Sequence, residues 1–398
     1  MNILLEIIFW TSVGLATYVY VGYPILVYIA GRLFPRPVVR NKFEPSVSVI
    51  ITAYNERKDI REKLRNTLEL DYPKEKLQVI VVSDCSSDGT DEIVREFSGD
   101  GVQLIRQNER RGKTAAQNLA VTGATGEIIL FSDATSMYEP SVLKELLPNF
   151  ADKNVGCVAG RLAYIDSSDS SIGKGAKKYW NYETFLKTNE SLACSLIGVS
   201  GCIYAVRRNA YVPMYDEACS DFLICTLIYR QGLRTVYHPG AVCYEETNTR
   251  SSQEFRMRVR VISQTFTDLW RNRDMLNPAK AGFYAVQLIS HKVLRYAMPL
   301  FLVLTLVTSG ILARSSILYL AIFALQLFVY SVAILDWGLQ WTGVDMKLLA
   351  IPRYFCLANL ASAAGFYHFI RGNRFAHWEP IRDVNVDANP IEGPVVLR

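Results

Sequence analysis

The eight cysteines of this 398-residue chain are scattered, and no two of them form a CxxC pair. This spacing argues against a zinc site, and a cytoplasmic location would leave the thiols free. The first predicted strand is not followed by a GxGxxG segment, so the dinucleotide-binding fingerprint is missing. The sequence also lacks internal repeats and low-complexity tracts.

Strong charge of either sign is absent as well. The net charge is only +5, and basic residues that flank apolar stretches account for it. A nucleic-acid partner is therefore not expected. Half of the residues are hydrophobic, and they are concentrated at the two ends of the chain.

The first 33 residues carry almost no charge after Glu6, and neither a basic start nor a small-residue cleavage site marks a signal peptide. We expect residues 1–35 to contain a membrane anchor, because residues 4–30 are long enough to cross a bilayer. The basic residues that follow it, Arg32, Arg36, Arg40 and Lys42, place the next segment in the cytoplasm.

The other apolar block, residues 293–371, is predicted to form C-terminal membrane helices before a tail, 372–398. Its three apolar runs are 294–311, 317–335 and 348–370. This count leaves the topology open. One anchor and three later helices would put both termini on the outer side of the membrane. Arg371, Arg374 and Arg382, however, favour a cytoplasmic tail. We expect a multi-pass protein of the cell membrane with its soluble domain in the cytoplasm.

Between these blocks, residues 44–250 have the composition of a soluble domain, and 251–292 are predicted to form amphipathic helices at the membrane surface. Four apolar strands alternate with short helices, at 47–52, 77–82, 102–106 and 127–131. This alternation predicts an α/β fold with a Rossmann-like, mostly parallel sheet. Three of the strands end in polar residues, Asn55 and Glu56, Asp84, and Asp133. Since ligands bind beyond the carboxyl ends of parallel strands, these tips predict a nucleotide site.

Six segments together resemble the membrane-embedded, polysaccharide-synthase branch of the family 2 inverting glycosyltransferases, which have the GT-A fold. They are AYNE (53–56), SDCSSDGT (83–90), GKTAAQN (112–118), SDAT (132–135), GVSGCIYAVRR (198–208) and CSDFLICTLIYRQG (219–232). Each segment alone is a weak signal. Their order, between apolar blocks, makes the resemblance specific, and it covers most of the chain.

The resemblance implies an inverting hexosyltransferase that uses a UDP-sugar and Mg²⁺ or Mn²⁺, and it assigns roles to individual residues. Asp221 is the expected catalytic base, Asp133 and Thr135 are the expected metal ligands, and the remaining assignments concern donor and acceptor. The donor set is Tyr54, Glu56, Asp84, Lys113, Arg258 and Arg260, and the acceptor set is Ser200, Gly201, Cys202 and Trp180.

Two departures from the family pattern bear on function. Thr135 stands where the DxD metal motif has its last aspartate, so Asp133 is the one sure carboxylate ligand. The QxxRW motif of processive synthases is not present as such. Arg260 and Val261 occupy the places of its arginine and tryptophan, which puts processivity in doubt.

Plainer interpretations remain open for several residues. Asp84 also fits an Asx-turn, Lys113 a lysine at a helix start, and residues 253–273 an amphipathic helix on the membrane. Three functions stay in competition. They are polysaccharide synthesis with a possible export partner, transfer of one sugar to a polyprenyl-phosphate or other lipid-linked acceptor, and a catalytically impaired membrane scaffold.

Overall fold

The computed structural model describes residues 2–165, 171–246, 251–341 and 349–377. An eight-stranded mixed sheet forms the centre of the soluble part, in the order β3-β2-β1-β4-β7-β6-β8-β5. Its strands are β1 (Val47–Ala53), β2 (Leu77–Ser83), β3 (Val102–Arg106), β4 (Ile128–Asp133), β5 (Met137–Tyr138), β6 (Val155–Ile165), β7 (Tyr204–Arg207) and β8 (Arg234–Glu246).

The four strands predicted from sequence form the parallel half of this sheet, β3-β2-β1-β4. The other half is mixed, because β7 runs antiparallel to both β4 and β6 whereas β8 is parallel to β6. The Rossmann-like GT-A architecture is thus confirmed. The description "mostly parallel" holds only for the half that begins the domain.

Strand β1 lies in the middle of the parallel half and is buried along its whole length. Its side chains alternate between two apolar cores, as expected for a strand covered on both faces. Val49 and Ile51 belong to the core on one face, and Ile50 belongs to the core on the other. This double burial fixes the register of β1 against its neighbours.

Helices cover both faces of the sheet, and further helices precede and follow the soluble part. In the soluble part they are α3 (Ile60–Leu68), α4 (Thr90–Glu96), α5 (Lys113–Thr122), α6 (Val142–Leu146), α7 (Ser171–Ala193) and α8 (Ser220–Arg230). The remaining helices are α1 (Asn2–Thr17), α2 (Tyr23–Leu33), α9 (Ser251–Arg271), α10 (Pro278–Ala281), α11 (Phe283–Leu288), α12 (Leu294–Tyr296), α13 (Met298–Leu312), α14 (Ile317–Trp341) and α15 (Ala350–Ile370).

Two of the described helices are long and apolar enough to cross a membrane, Ile3–Leu33 and Ile317–Leu339. A third span results if the bent pair Phe283–Tyr296 and Met298–Leu312, which meet at 55°, is counted as one. The predicted span at 348–370 is not among these candidates in the described part of the chain. Its helix, α15, carries Arg353, which is buried and paired at 2.7 Å with Asp336 of α14.

The amphipathic helix expected near 253–273 is present as α9 and packs against α15. Val259 and Ile262 of α9 form an apolar cluster with Ala361 of α15. After α15 the chain returns to the soluble domain. Gln264 of α9 donates to the carbonyl of Phe375 at 2.5 Å.

Gly126 marks a tight contact at the start of β4 and provides a test of the fold. A Cβ atom there would lie 2.4 Å from the backbone nitrogen of Ser48 in β1. We expect Gly126→Ala to lower the free energy of unfolding by ~1–3 kcal/mol, as overpacking does.

Thermal unfolding of the purified protein in detergent measures this effect. Gly99→Ala is the matched control, because no atom lies within 4 Å of the Cβ position of Gly99. Equal unfolding midpoints for the two variants would contradict the tight packing of β4 on β1.

Candidate active site

The carboxyl ends of β1, β2 and β4 meet at one edge of the sheet, as the sequence predicted. Ala53 at the end of β1 is in register with Ser83 of β2, and Thr52 is in register with Asp133 of β4. The hydroxyl of Thr52 lies 3.4 Å from the Asp133 carboxylate. The loops that follow these strands therefore form one surface.

Asp84, at the tip of β2, is completely buried. Its Oδ1 accepts from the side chain of Gln107 at 2.6 Å and from the backbone nitrogen of Arg111 at 2.8 Å. Its Oδ2 accepts from the backbone nitrogen of Gly112 at 3.0 Å. Asp84 thus fixes the loop before α5, and a contact with the base of the nucleotide stays a prediction.

Tyr54 and Glu56, which are predicted to bind the sugar donor, follow β1 and lie beside the loop that Asp84 fixes. The ring of Tyr54 lies under the guanidinium of Arg110, 3.8 Å from the ring centre. Glu56 is nearly buried, and its backbone nitrogen donates to the hydroxyl of Thr90 at 2.8 Å. Between them Asn55 has a φ of 55°, a left-handed conformation that costs energy for a non-glycine residue.

Lys113 is the first residue of α5 and forms an ion pair with Asp133. Burial lowers the pKa of the Lys113 ammonium, but Asp133 and the more distant Asp221 outweigh it, so the pKa is raised above its usual value. The predicted phosphate-side lysine and the predicted metal ligand are therefore in direct contact.

Asp221 lies in the first turn of α8, where the helix dipole stabilises a negative charge. Its Oδ1 accepts from the thiol of Cys219 at 2.9 Å, and its backbone carbonyl accepts from the nitrogen of Val199 at 2.9 Å. The second bond attaches the predicted base to the predicted acceptor loop.

Gly201 is the point at which these groups meet. A Cβ atom on Gly201 would lie 3.0 Å from the Lys113 ammonium and 3.3 Å from Oδ2 of Asp221. Any larger residue would enter the space between the predicted base and the ion pair of Lys113 with Asp133. Glycine keeps this space open for a reacting group.

The other predicted acceptor residues are less accessible. Ser200 is nearly buried, and its hydroxyl accepts from the ammonium of Lys187 at 2.9 Å. Cys202 is buried beside Cys243, and a hydrogen bond with that thiol together with burial raises its pKa well above the usual value. The side chain of Trp180 lies outside the described residues.

The two predicted arginines have different surroundings on α9. Arg258 donates to Glu254 at 2.7 Å and to the hydroxyl of Tyr354 on α15. Burial lowers the pKa of Arg260, and the charges of Asp221 and Asp133 act in the opposite direction. Arg260 is thus the arginine whose charge is close to the predicted base and metal ligand.

Glu245, at the end of β8, is a site residue that the sequence did not reveal. Its Oε1 accepts from the hydroxyl of Thr135 at 3.2 Å. Burial raises the pKa of Glu245 to about 7, and the charge of Asp133 adds to the effect. The sequence gives no signal for this contact, since 110 positions separate the two residues.

The donor set at this edge suits a hard divalent cation. Carboxylate oxygens of Asp133 and Glu245 and the hydroxyl of Thr135 are the oxygen ligands that Mg²⁺ and Mn²⁺ prefer. The described residues contain no group of three or more histidines, cysteines, aspartates or glutamates that could hold a metal ion. Such a cation would complete its coordination with diphosphate oxygens.

The last described residues lie against the loop fixed by Asp84. A ring nitrogen of His377 donates to the carbonyl of Arg110 at 2.9 Å. Gly112 has a φ of 94°, and a Cβ atom on it would lie 1.9 Å from the carbonyl oxygen of Ala376. Glycine is therefore required at 112 both for its backbone conformation and for this contact.

Comparison with known proteins agrees with this geometry. The family described as Glycosyl transferase family 2 matches residues 48–212. The probable glycosyltransferase YdaM of Bacillus subtilis (strain 168) is 28% identical over 231 residues, which are 54% of this chain and 54% of that protein. Poly-beta-1,6-N-acetyl-D-glucosamine synthase of Staphylococcus aureus (strain COL) is 24% identical over 57% of this chain and 52% of its own length.

The chain thus spans about half the length of these curated relatives. Among solved structures, the mannosyltransferase PcManGT from Pyrobaculum calidifontis, in complex with GDP-Man and Mn²⁺, superposes with a TM-score of 0.69. The match covers 93% of this chain and 100% of that one at 23% identity, a level that supports the fold. Residues 48–212 thus match a glycosyltransferase family 2 domain, and the fold is that of the GT-A architecture.

Proposed function

We propose that this protein is an inverting membrane glycosyltransferase that transfers a hexose from a UDP-sugar to a growing polysaccharide. The observation that carries the proposal is the meeting of Asp221, Lys113 and Asp133 around Gly201. A carboxylate, an ammonium and an oxygen donor for a cation converge on one open position. The polysaccharide-synthase relative supports the choice of acceptor.

Inverting transfer requires a base for the acceptor hydroxyl and positive charge for the departing diphosphate. Asp221 takes the proton, with its carboxylate oriented by the thiol of Cys219 and by the start of α8. Asp133 would hold a divalent cation, which would supply Lewis-acid stabilisation of the leaving group when bound. Lys113 and Arg260 add positive charge on the same side.

The position of the acceptor loop favours a second candidate, transfer of one sugar to a lipid-linked phosphate. Lys187 bonds Ser200, and Lys292, between α11 and α12, lies 4.0 Å from the Cβ position of Gly198. Two lysines thus flank the acceptor loop beside apolar helices, where an anionic lipid would bind. The scaffold alternative is disfavoured, since Asp133, Lys113 and Asp221 are all retained and in proximity.

Two helices that are long and apolar enough to cross a membrane support our proposal that the protein lies in the cell membrane with its catalytic domain in the cytoplasm. Membrane lipid is then a partner, and a polymer product would need an export route, through these helices or a partner protein. The basic residues after α2, among them Arg36 and Arg40, fit this orientation.

An assay of UDP release tests the proposed activity. Purified protein with Mn²⁺ and a panel of UDP-sugars should release UDP from one of them when membrane extract supplies the acceptor. Size analysis of the product separates a polymer from a single transferred sugar. Absence of UDP release with every sugar would overturn the proposal, and a product of lipid plus one sugar would establish the second candidate.

The role of Asp221 is tested by an isosteric change. Asp221→Asn keeps the size of the side chain but cannot take the proton, so we expect UDP to bind with near-native affinity while transfer falls by ~10²-fold or more. Calorimetry measures the first quantity and initial rates the second.

Asp216→Asn is the matched control, because Asp216 lies on a nearby loop and pairs with Arg111 at 2.8 Å. Its transfer rate should stay near that of the unaltered protein. Parallel losses of UDP binding and transfer in Asp221→Asn would indicate a structural aspartate. Undiminished transfer would assign the base to Asp216 or Glu217.

Asp133 is expected to be essential for the use of a divalent cation. Asp133→Ala should abolish transfer and remove the stimulation by Mn²⁺, whereas Thr135→Asp should be tolerated. Rates measured across a Mn²⁺ titration, with and without chelator, check this expectation. Asp100→Ala, an exposed carboxylate on the same domain, serves as the control. Near-normal turnover of Asp133→Ala in chelator would refute the metal-diphosphate scheme.

A further inference from the structure

The metal motif of this chain has one carboxylate fewer than the pattern it resembles, and the structure supplies another from a distant strand. Thr135 occupies the position of the missing aspartate. Its hydroxyl donates to Oε1 of Glu245, so the carboxylate at the end of β8 is held against the motif.

Strand pairing explains why Glu245 faces the site. The short strand β5, directly after the motif, pairs antiparallel with β8, with Met137 opposite Tyr244 and Tyr138 opposite Cys243. Because side chains alternate along a strand, Cys243 and Glu245 lie on the same face. Cys243 is fully buried beneath the motif, and Glu245 follows it towards the Asp133 loop.

Two lysine ammonium groups lie close to this loop. Asp133 is already paired with the Lys113 ammonium. The ammonium of Lys63 is completely buried, donates to the carbonyl of Ser136 and lies 3.7 Å from the centre of the Tyr138 ring. Two carboxylates and two ammonium groups thus surround the motif, and Lys63 fixes the backbone on which Thr135 stands.

We propose that Glu245 is a second carboxylate ligand of the divalent cation and replaces the aspartate that the motif lacks. This inference rests on the proposed function, since it concerns the cation that holds the donor diphosphate. Thr135 then has a positioning role, because its hydroxyl orients the Glu245 carboxylate. A bound cation would displace the Lys113 ammonium from Asp133. The ammonium would then be available to the diphosphate.

Binding of Mn²⁺ in the presence of UDP tests the proposal without relying on turnover. The electron paramagnetic resonance signal of free Mn²⁺ gives the dissociation constant. Glu245→Gln should raise the dissociation constant of Mn²⁺ by ~10-fold or more. Even the mutation of a residue that only supports a metal ligand typically lowers metal affinity by about 10–100-fold. Glu246→Gln, the exposed neighbour at the end of the same strand, should leave it unchanged.

Moving the carboxylate from position 245 to position 135 tests whether Glu245 is a metal ligand or a structural residue. Adding Thr135→Asp to Glu245→Gln restores a carboxylate at the motif and should recover most of the Mn²⁺ affinity. If Glu245 were only structural, Glu245→Gln alone would keep most of the Mn²⁺ affinity, because the glutamine carbonyl still accepts from the Thr135 hydroxyl. Failure of the double variant to bind Mn²⁺, with an unfolding midpoint like that of the unaltered protein, would overturn the proposal.

Carboxyl labelling of the unaltered protein gives an answer even if the variants do not fold. Carbodiimide and glycine ethyl ester, followed by mass spectrometry, should label Glu245 less when UDP and Mn²⁺ are present, and Glu246 equally with and without them. Equal labelling of Glu245 in both conditions would overturn the inference.

If Asp133→Asn and the unaltered protein both fail to bind Mn²⁺ with UDP, the metal scheme of the proposed function fails. If Asp133→Asn alone loses binding while Glu245→Gln retains it, only the role of Glu245 is wrong.

Discussion

The site depends on one buried carboxylate, that of Asp84. The carboxylate lies at the tip of β2, where it is shielded from water. It accepts hydrogen bonds from the side chain of Gln107 and from the backbone nitrogens of Arg111 and Gly112. A buried charge without such partners would be strongly destabilising, so the loop has little freedom to move. The loop ends where α5 begins, and this places Lys113 on Asp133. The position of Lys113 is therefore set by the hydrogen bonds of the two residues before it, Arg111 and Gly112.

A second constraint comes from α2 and from the segment between α11 and α12, which contact α7 through a buried polar network. His291, between α11 and α12, lies between Glu183 and Glu190 of α7, and Tyr23 of α2 donates to Glu190. One helical turn before Glu190, Lys187 bonds Ser200 of the acceptor loop. Polar contacts thus connect the loop at Ser200, through α7, to α2 and to the segment between α11 and α12.

The sequence predicted the half of the fold in which each strand is continuous, apolar and followed by its own helix. It also predicted the residues that belong to local motifs, so Asp133, Lys113 and Asp221 are brought together as the motifs implied. The mixed half could not be predicted in this way. Strand β7 inserts between β4 and β6 through pairings distant in sequence. The contact of Glu245 with Thr135 depends on another distant pairing, that of β5 with β8. Burial of Cys202 likewise follows from its position beneath β8, which no local pattern records.

The last described residues change what should be regarded as the smallest complete enzyme. The sheet and the predicted base all lie before the end of β8. Arg260, however, belongs to α9, and the wall against Gly112 is formed by the segment after α15. A fragment cut after Glu246 would keep every strand and lose both. The helices after β8 thus return the chain to the Gly112 side of the domain that they follow.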